Sequence, residues 1–301
     1  MPTISPDFSD RIIAIHGQTG QNWLGTLADL QGKMALRWSL SDIHPIHDLS
    51  YNYLAFATTS NNTPVVLKLG VPHPELEAEI QALRVFNGSG SVRLLESDPS
   101  QGALLLERIF PGDNLLSIQD NQESTRIASS VMRKIWKPAP SNLNFPTATK
   151  WCQGFQRYLD KYSSDCYLSL DLIRNAANLS KDLLSSSQNQ LLLHGDLHHK
   201  NILLGENKTW IAIDPQGVLG EEAFEVGALL LNPAPEIIHW PDLKEVQMRR
   251  LRVLEETLSI DRERLASWSF VRAVLSAIWS LEDGEDWRHA IKIAEILKDL
   301  I

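Results

Sequence analysis

Length, composition and charge exclude several classes of protein for this chain of 301 residues. The formal net charge of −9 and the dispersed basic residues argue against a nucleic acid bound through its phosphates, and weakly favour a cationic partner. The only cysteines are Cys152 and Cys166, and neither a membrane-spanning apolar run nor a basic-apolar leader at Met1 occurs, so we expect a soluble protein of the reducing cytoplasm with no membrane partner.

The first third of the sequence predicts helices followed by a small mixed sheet. Gly17 separates two amphipathic helices, and Gly88-Ser89-Gly90 ends a third. Alternating apolar residues between turn signals predict the strands. In chain order, the expected elements are helices over 8–16 and 19–37, strands over 51–58 and 65–69, a helix over 75–86, and strands over 92–95 and 103–108.

The turn Pro111-Gly112-Asp113 predicts the boundary between two lobes. We expect a small mixed lobe with leading helices over 1–110 and a mainly helical lobe over 111–301. The second lobe is interrupted by two apolar hairpins. The pattern is typical of a two-lobed α+β fold.

A polar loop between apolar segments carries the residues that predict a chemical function. The segment 191–204 contains His194, Asp196 and Asn201, and the following apolar strand ends near Asp214. This order and spacing match a kinase catalytic loop followed by a metal-binding strand. Asp196 would accept the proton of an acceptor hydroxyl, while Asn201 and Asp214 would bind Mg²⁺, a hard cation that prefers oxygen ligands. The alternative is that His-Gly-Asp is only a turn between two strands.

Lys68 lies inside an otherwise apolar predicted strand, where a charge is costly unless it is paired. In a kinase, such a lysine contacts the nucleotide phosphates and is steadied by a glutamate on a helix. Glu79 is the best candidate because core-facing residues follow it, although Glu75 and Glu77 stay open, as does an edge-strand lysine that reaches solvent. Neither a glycine-rich kinase loop nor a Walker loop occurs, so Ser50 and its turn would cover the phosphates, unless Ser50 is an ordinary turn residue.

These motifs resemble the aminoglycoside phosphotransferase family, whose loop reads His-Gly-Asp-Leu-His-x-x-Asn. The resemblance is strongest to its streptomycin 6-phosphotransferase branch, also called aminoglycoside/hydroxyurea resistance kinases. His199-Lys200 departs from the usual Pro-Gly type pair, and Lys200 would either add a charge near the γ-phosphate or face water. The resemblance covers nearly the full length, and the other segments that carry it are 17–20, 23–24, 37–40, 66–69, 104–108, 111–112, 213–217, 230–233 and 277–284.

The resemblance implies a protein-kinase-like fold whose N-terminal lobe binds a nucleotide and whose C-terminal lobe holds the catalytic and substrate sites. It also implies transfer of the γ-phosphoryl group of ATP or GTP to a hydroxyl of an aminoglycoside, above all a streptomycin-like one. The implied roles are Asp196 as base, Asn201 and Asp214 as Mg²⁺ ligands, Lys68 as phosphate contact with Glu79 as its partner, and Glu107 to Ile109 as the hinge that binds adenine.

Two acidic clusters are candidates for binding the guanidinium groups of a streptomycin-like acceptor, since carboxylates pair with guanidinium in bidentate fashion. Each cluster could instead be a solvated helix terminus. Another hydroxylated amine, sugar or choline-like acceptor stays open, and so does an inactive kinase-like binding module, against which the intact catalytic set argues. The candidates are Glu221, Glu222 and Glu225 in the first cluster, and Glu282, Asp283, Glu285 and Asp286 in the second.

Overall fold

A computed structural model describes residues 4–46, 49–162, 164, 167–187 and 189–301 of the chain. The chain divides into two compact units, Met1–Gly112 and Asp113–Ile301. Cys152 is buried and free, as expected for a reduced thiol, whereas Cys166 and Met1 lie outside the described residues. Among the helices that the structure describes, none has the length and apolar character needed to cross a bilayer.

Helix α1, Pro6–Arg37, begins the first unit and bends at Gly17. The Ser5 hydroxyl caps its N-terminus by accepting the Phe8 N–H at 3.2 Å. Gly17 has φ 55° and ψ −133°, a conformation that glycine adopts without a steric penalty. The predicted break between two helices is therefore confirmed as a kink, and the Phe8 and Trp23 rings meet edge to face with centroids 6.4 Å apart.

An antiparallel sheet with strand order β1-β2-β3-β5-β4 forms the rest of the first unit together with helix α2. Strand β1 was not predicted, because half of its residues are polar and exposed and none is fully buried, as is typical of an edge strand. The bounds are Leu40–Pro45 for β1, Tyr53–Thr59 for β2, Pro64–Leu69 for β3, Pro74–Phe86 for α2, Leu94–Asp98 for β4 and Ala103–Glu107 for β5.

Helix α8, Arg262–Glu282, is the central helix of the second unit. It is buried on almost every side between Leu265 and Ile278, because it packs against α4, α5, α6 and α9. The other helices are α3 Asn121–Ile135, α4 Ala148–Lys161, α5 Leu170–Ser186, α6 Glu222–Leu230, α7 Leu243–Leu258 and α9 Arg288–Lys298.

Two short antiparallel strand pairs interrupt these helices. Strand β6 pairs with β9, and β7 pairs with β8. The segment 194–201 joins β6 to β7, and the segment 213–217 joins β8 to β9. The bounds are Leu191–Leu193 for β6, Ile202–Leu204 for β7, Trp210–Ala212 for β8 and Val218–Gly220 for β9.

Candidate active site

The pair β7 and β8 brings Asn201 and Asp214 to one end of a hairpin. Asn201 directly precedes β7, and Asp214 follows shortly after β8. Ile202 pairs with Ala212, and the Ile213 N–H donates to the Asn201 carbonyl at 2.9 Å. Because the hydrogen bonding between β7 and β8 extends to Asn201 and Ile213, the strand register places the two candidate metal ligands, Asn201 and Asp214, next to each other.

The side chain of Asn201 is held in one orientation by Asp196. Its Nδ2 donates to the Asp196 carbonyl at 2.9 Å and to Asp196 Oδ2 at 3.3 Å. Since the amide nitrogen is directed at Asp196, the amide oxygen Oδ1 is the atom left to meet a cation. Asp214, in the left-handed region at φ 57°, adds a carboxylate at this end of the hairpin. Mg²⁺ commonly takes one or two protein oxygens and completes its shell with phosphates and water, so this donor pair fits it.

Asp196 presents a carboxylate that solvent can reach, since its side chain is 37% exposed. His198 Nε2 lies 3.5 Å from Asp196 Oδ2. Enclosure by the protein would raise the pKa of Asp196, but His198, His194 and Arg272 outweigh this effect and keep the pKa below its ordinary value of 3.8. The carboxylate is ionised at neutral pH, which is the form that a general base requires.

His194 joins the loop to the strand that leads to Asp214. Its ring is completely buried, with Nε2 2.8 Å from the Ile213 carbonyl and Nδ1 accepting the Asp196 N–H at 3.3 Å. Because a carbonyl can only accept, Nε2 carries the proton. Burial lowers the pKa of His194 to about 4, so the ring is neutral at neutral pH and both bonds are kept.

Glu225, on α6, anchors the backbone of the loop. It is 1% exposed, and its two carboxylate oxygens accept the N–H groups of His194 at 2.6 Å and Gly195 at 2.9 Å. Burial raises the pKa of Glu225 to about 7. A buried carboxylate with both oxygens engaged cannot also receive a substrate guanidinium group, so the structure corrects the substrate role predicted for Glu225.

Glu221 ties the start of α6 to α8. Arg264 donates to its Oε2 from Nη2 at 2.8 Å and from Nε at 3.0 Å, and Trp268 Nε1 donates to its Oε1. Burial raises the pKa of Glu221, although Arg264 opposes this. The structure therefore corrects the substrate role of Glu221 as well, because α8 occupies its carboxylate. Glu222, half-buried in the first turn of α6, stays a candidate.

Glu282 and Asp283 are exposed at the C-terminal end of α8. They thus lie at a solvated helix terminus, the alternative to a substrate role, but the preference of acidic residues for a helix start does not account for them, because the negative end of the helix dipole disfavours acidic side chains. That preference does explain Asp286, which accepts the Arg288 N–H at 3.0 Å where α9 begins. The Arg157 guanidinium lies 4.0 Å from Glu282, an exposed contact that a ligand cation could replace.

The first unit contains the residues predicted to contact the nucleotide. Lys68 Nζ lies 2.7 Å from Glu79 Oε1 in a buried ion pair, whereas Glu75 and Glu77 are exposed. The antiparallel register of β3, between β2 and β5, places Lys68 in the middle of the sheet. Ser50 is exposed in the bend that precedes β2.

The predicted hinge follows β5. The carboxylate of Glu107 accepts the N–H of Arg93 at 2.8 Å and its Nε–H at 2.9 Å. The side chain of Glu107 is thus engaged with Arg93, so a hinge role would fall to the backbone between Glu107 and Ile109.

Arg272 was missed at the sequence level, although a signal was present. It is the one charged residue in the otherwise apolar or small-residue run 265–278, which is the criterion that singled out Lys68. Its Nη2 donates to the Gly195 carbonyl at 2.8 Å. A lone arginine inside a buried helix should therefore have been assigned a partner in the polar loop.

Comparison with known proteins gives matches over most of the chain. Residues 37–284 match the sequence profile of the family described as aminoglycoside/hydroxyurea antibiotic resistance kinase. A streptomycin 6-kinase of Streptomyces glaucescens is 30% identical over 271 residues, which cover 89% of this chain and 87% of that protein. A hydroxyurea phosphotransferase of Kitasatospora aureofaciens is 29% identical over 291 residues, which cover 93% and 82% respectively.

Solved structures show the same fold at low sequence identity. A choline kinase from Streptococcus pneumoniae superposes with a TM-score of 0.65 at 15% identity, covering 91% of this chain and 99% of that one. The predicted two-lobed α+β fold of the protein-kinase-like type is confirmed.

Proposed function

Because the chain belongs to the aminoglycoside/hydroxyurea antibiotic resistance kinase family, we propose that it transfers the γ-phosphoryl group of ATP or GTP to a hydroxyl of a streptomycin-like aminoglycoside. The family makes it a phosphotransferase with an alcohol acceptor and a nucleotide co-substrate. The observation that supports the proposed mechanism most strongly is the hydrogen bonding from Asn201 Nδ2 to Asp196, which leaves the amide oxygen of Asn201 for a cation and places an ionised carboxylate beside it.

In this mechanism, Asp196 accepts the proton of the acceptor hydroxyl as the oxygen attacks the γ-phosphorus, while the bond from that phosphorus to the β,γ-bridging oxygen breaks and the nucleoside diphosphate leaves. Asn201 and Asp214 would hold Mg²⁺, which would supply positive charge to neutralise the nucleotide phosphates. His194 and Glu225 fix the backbone around Asp196, so the carboxylate needs little reorganisation during the reaction. The residues of the loop thus position the catalytic carboxylate and accept the proton, and phosphoryl transfer depends mainly on such positioning.

The nucleotide contacts that we propose lie in the first unit. Lys68 binds phosphate oxygens, and its buried pair with Glu79 fixes the ammonium group in the sheet. The exposed hydroxyl of Ser50 and its neighbouring backbone N–H groups cover the phosphates. The backbone from Glu107 to Ile109 binds adenine or guanine.

The acceptor is proposed to be cationic. Among the predicted acidic residues, Glu222 is half-buried, and the members of the second cluster are exposed, namely Glu282, Asp283, Glu285 and Asp286. The net charge of −9 also attracts a polycation over a longer range. A streptomycin-type molecule, with its guanidinium groups, satisfies both features.

The deciding experiment measures Mg²⁺-dependent consumption of ATP and GTP with a panel of acceptors. The panel contains streptomycin-type and kanamycin-type aminoglycosides, hydroxyurea, choline and simple amino sugars, and product is identified by ³¹P NMR. We expect the largest kcat/KM for a streptomycin-type compound. If only choline, hydroxyurea or an amino sugar were phosphorylated, the proposed phosphoryl transfer would stand and the proposed streptomycin-type acceptor would be wrong.

A further inference from the structure

We propose that Arg272 is a positioning residue that holds the catalytic loop, 194–201, in its conformation through a hydrogen bond to the carbonyl of Gly195. Aromatic rings around the guanidinium group, here called the aromatic cage, hold it in place for this bond. The inference deepens the proposed function and rests on it, because the residue after Gly195 is the candidate base Asp196.

Arg272 is a buried cation and therefore requires compensating interactions within the protein. It stands on the central helix α8 and is 5% exposed. A guanidinium cation loses its interactions with water on burial, so burial is unfavourable unless the protein replaces them. Burial lowers the pKa of Arg272, and the charges of Asp196 and Glu225 oppose that effect. The cation is thus kept at a site that is otherwise apolar on α8.

Three aromatic rings from three helices surround the guanidinium group. Its central carbon lies 4.8 Å from the ring centroid of Trp151 on α4, 4.9 Å from that of Phe224 on α6 and 5.3 Å from that of Trp279 on α8. Each distance is within the range for a cation–π contact, which is stronger when the cation is desolvated. Gly227 makes room for the side chain, since a Cβ there would lie 2.4 Å from the Cβ of Arg272.

The aromatic cage orients one N–H donor of Arg272 toward the catalytic loop. Arg272 Nη2 donates to the Gly195 carbonyl at 2.8 Å, while the N–H of Gly195 donates to Glu225 at 2.9 Å. Gly195 itself has φ 88°, and a Cβ there would lie 2.9 Å from the Trp151 ring. Both peptide groups that flank Gly195 are therefore fixed by buried charges, and the second of them leads directly into Asp196.

This arrangement predicts what a substitution changes. Arg272→Lys keeps the positive charge inside the cage but lacks the planar fork that reaches Gly195. Small misplacements of a catalytic group lower kcat strongly while ground-state binding is less affected. The nucleotide and acceptor sites stay intact, so KM should change little.

The test compares the full-length wild type with Arg272→Lys and Arg272→Ala in Mg²⁺-ATP turnover. We expect Arg272→Lys to lower kcat about 10- to 100-fold with KM values within about threefold. We expect millimolar guanidinium, which fits the emptied cage, to restore kcat of Arg272→Ala, whereas methylammonium should restore less. Arg250→Ala is the control, because this fully buried arginine donates to Leu229 at 2.7 Å outside the loop, and guanidinium should not raise its kcat.

A second measurement does not depend on activity. Hydrogen exchange of the backbone amides at 194–198 should be faster in Arg272→Lys than in the wild type, with the other buried amides unchanged. An unchanged kcat together with unchanged exchange in this segment would overturn the positioning role. A wild type that phosphorylates no acceptor would instead overturn the proposed function, while faster exchange in the variant would still support the role of Arg272.

Discussion

Helix α8 contributes two regions that differ in burial and in what they can contact. Its middle carries Arg272 and Trp268, which donate to the Gly195 carbonyl and to the carboxylate of Glu221 inside the protein. Its C-terminal end carries Glu282 and Asp283, which are exposed. Buried charges near the loop set its geometry, and exposed charges are available to a ligand. Substitutions should therefore affect turnover or stability in the first region and substrate affinity in the second.

The largest effect is expected at the candidate metal site, beside the loop that the first region contacts. Asp214→Ala removes one of the two proposed protein ligands of Mg²⁺, so Mg²⁺-dependent ATP turnover should be abolished. The fold should persist, and thermal unfolding of the variant should show a cooperative transition. Asp242→Ala is a matched control, because this exposed aspartate has a similar backbone conformation with φ 53°. Full turnover in Asp214→Ala would remove this residue from the site.

Glu225→Gln should lower stability by about 1–3 kcal/mol, because glutamine leaves one of two buried N–H groups without an acceptor. It should also change the pH dependence. The pKa of Glu225 is raised from 4.5 to about 7, so the folded state binds the proton more tightly and this residue makes stability fall as pH rises through that window. The pKa of His194 is lowered from 6.5 to about 4, so His194 makes stability rise with pH.

In the wild type these two contributions oppose each other where their pH windows overlap. The variant keeps only the contribution of His194, so its free energy of unfolding should rise more steeply with pH between about 4 and 6.5. Urea unfolding over a pH series measures this slope. Glu222→Gln, one turn earlier on α6, should keep the wild-type slope, and a wild-type slope in Glu225→Gln would contradict the buried position.

The smallest effect is expected at the exposed end of α8. The double substitution Glu282→Gln and Asp283→Asn should raise KM for a streptomycin-type acceptor about two- to fivefold and leave kcat unchanged, as expected for exposed ion pairs. The increase should shrink at high salt. Glu295→Gln, which removes one exposed negative charge on α9, should alter KM little. A lower kcat in the double variant would show that these two residues affect turnover, as expected of the buried middle of α8, and not only substrate affinity.

Local patterns in the sequence predicted the elements that depend on local chemistry. Gly17 marked the kink of α1, and the pairing of Lys68 with a helix glutamate followed from the cost of burying a charge. The fate of Glu225 could not be predicted, since its partners are backbone groups of a loop about thirty residues earlier that only tertiary packing brings close. The sequence alone does not distinguish an acidic residue that is buried against a helix from one that is exposed to solvent.

In the proposed reaction, Asp196 acts as the base in phosphoryl transfer. The most direct test is Asp196→Asn, measured both by turnover with the preferred acceptor and by calorimetric titration with the Mg²⁺-nucleotide. If Asp196 is the base, kcat should fall by a factor of about 10² to 10⁴ while nucleotide affinity is retained. Turnover equal to the wild type, or loss of nucleotide binding with the loss of turnover, would contradict this role.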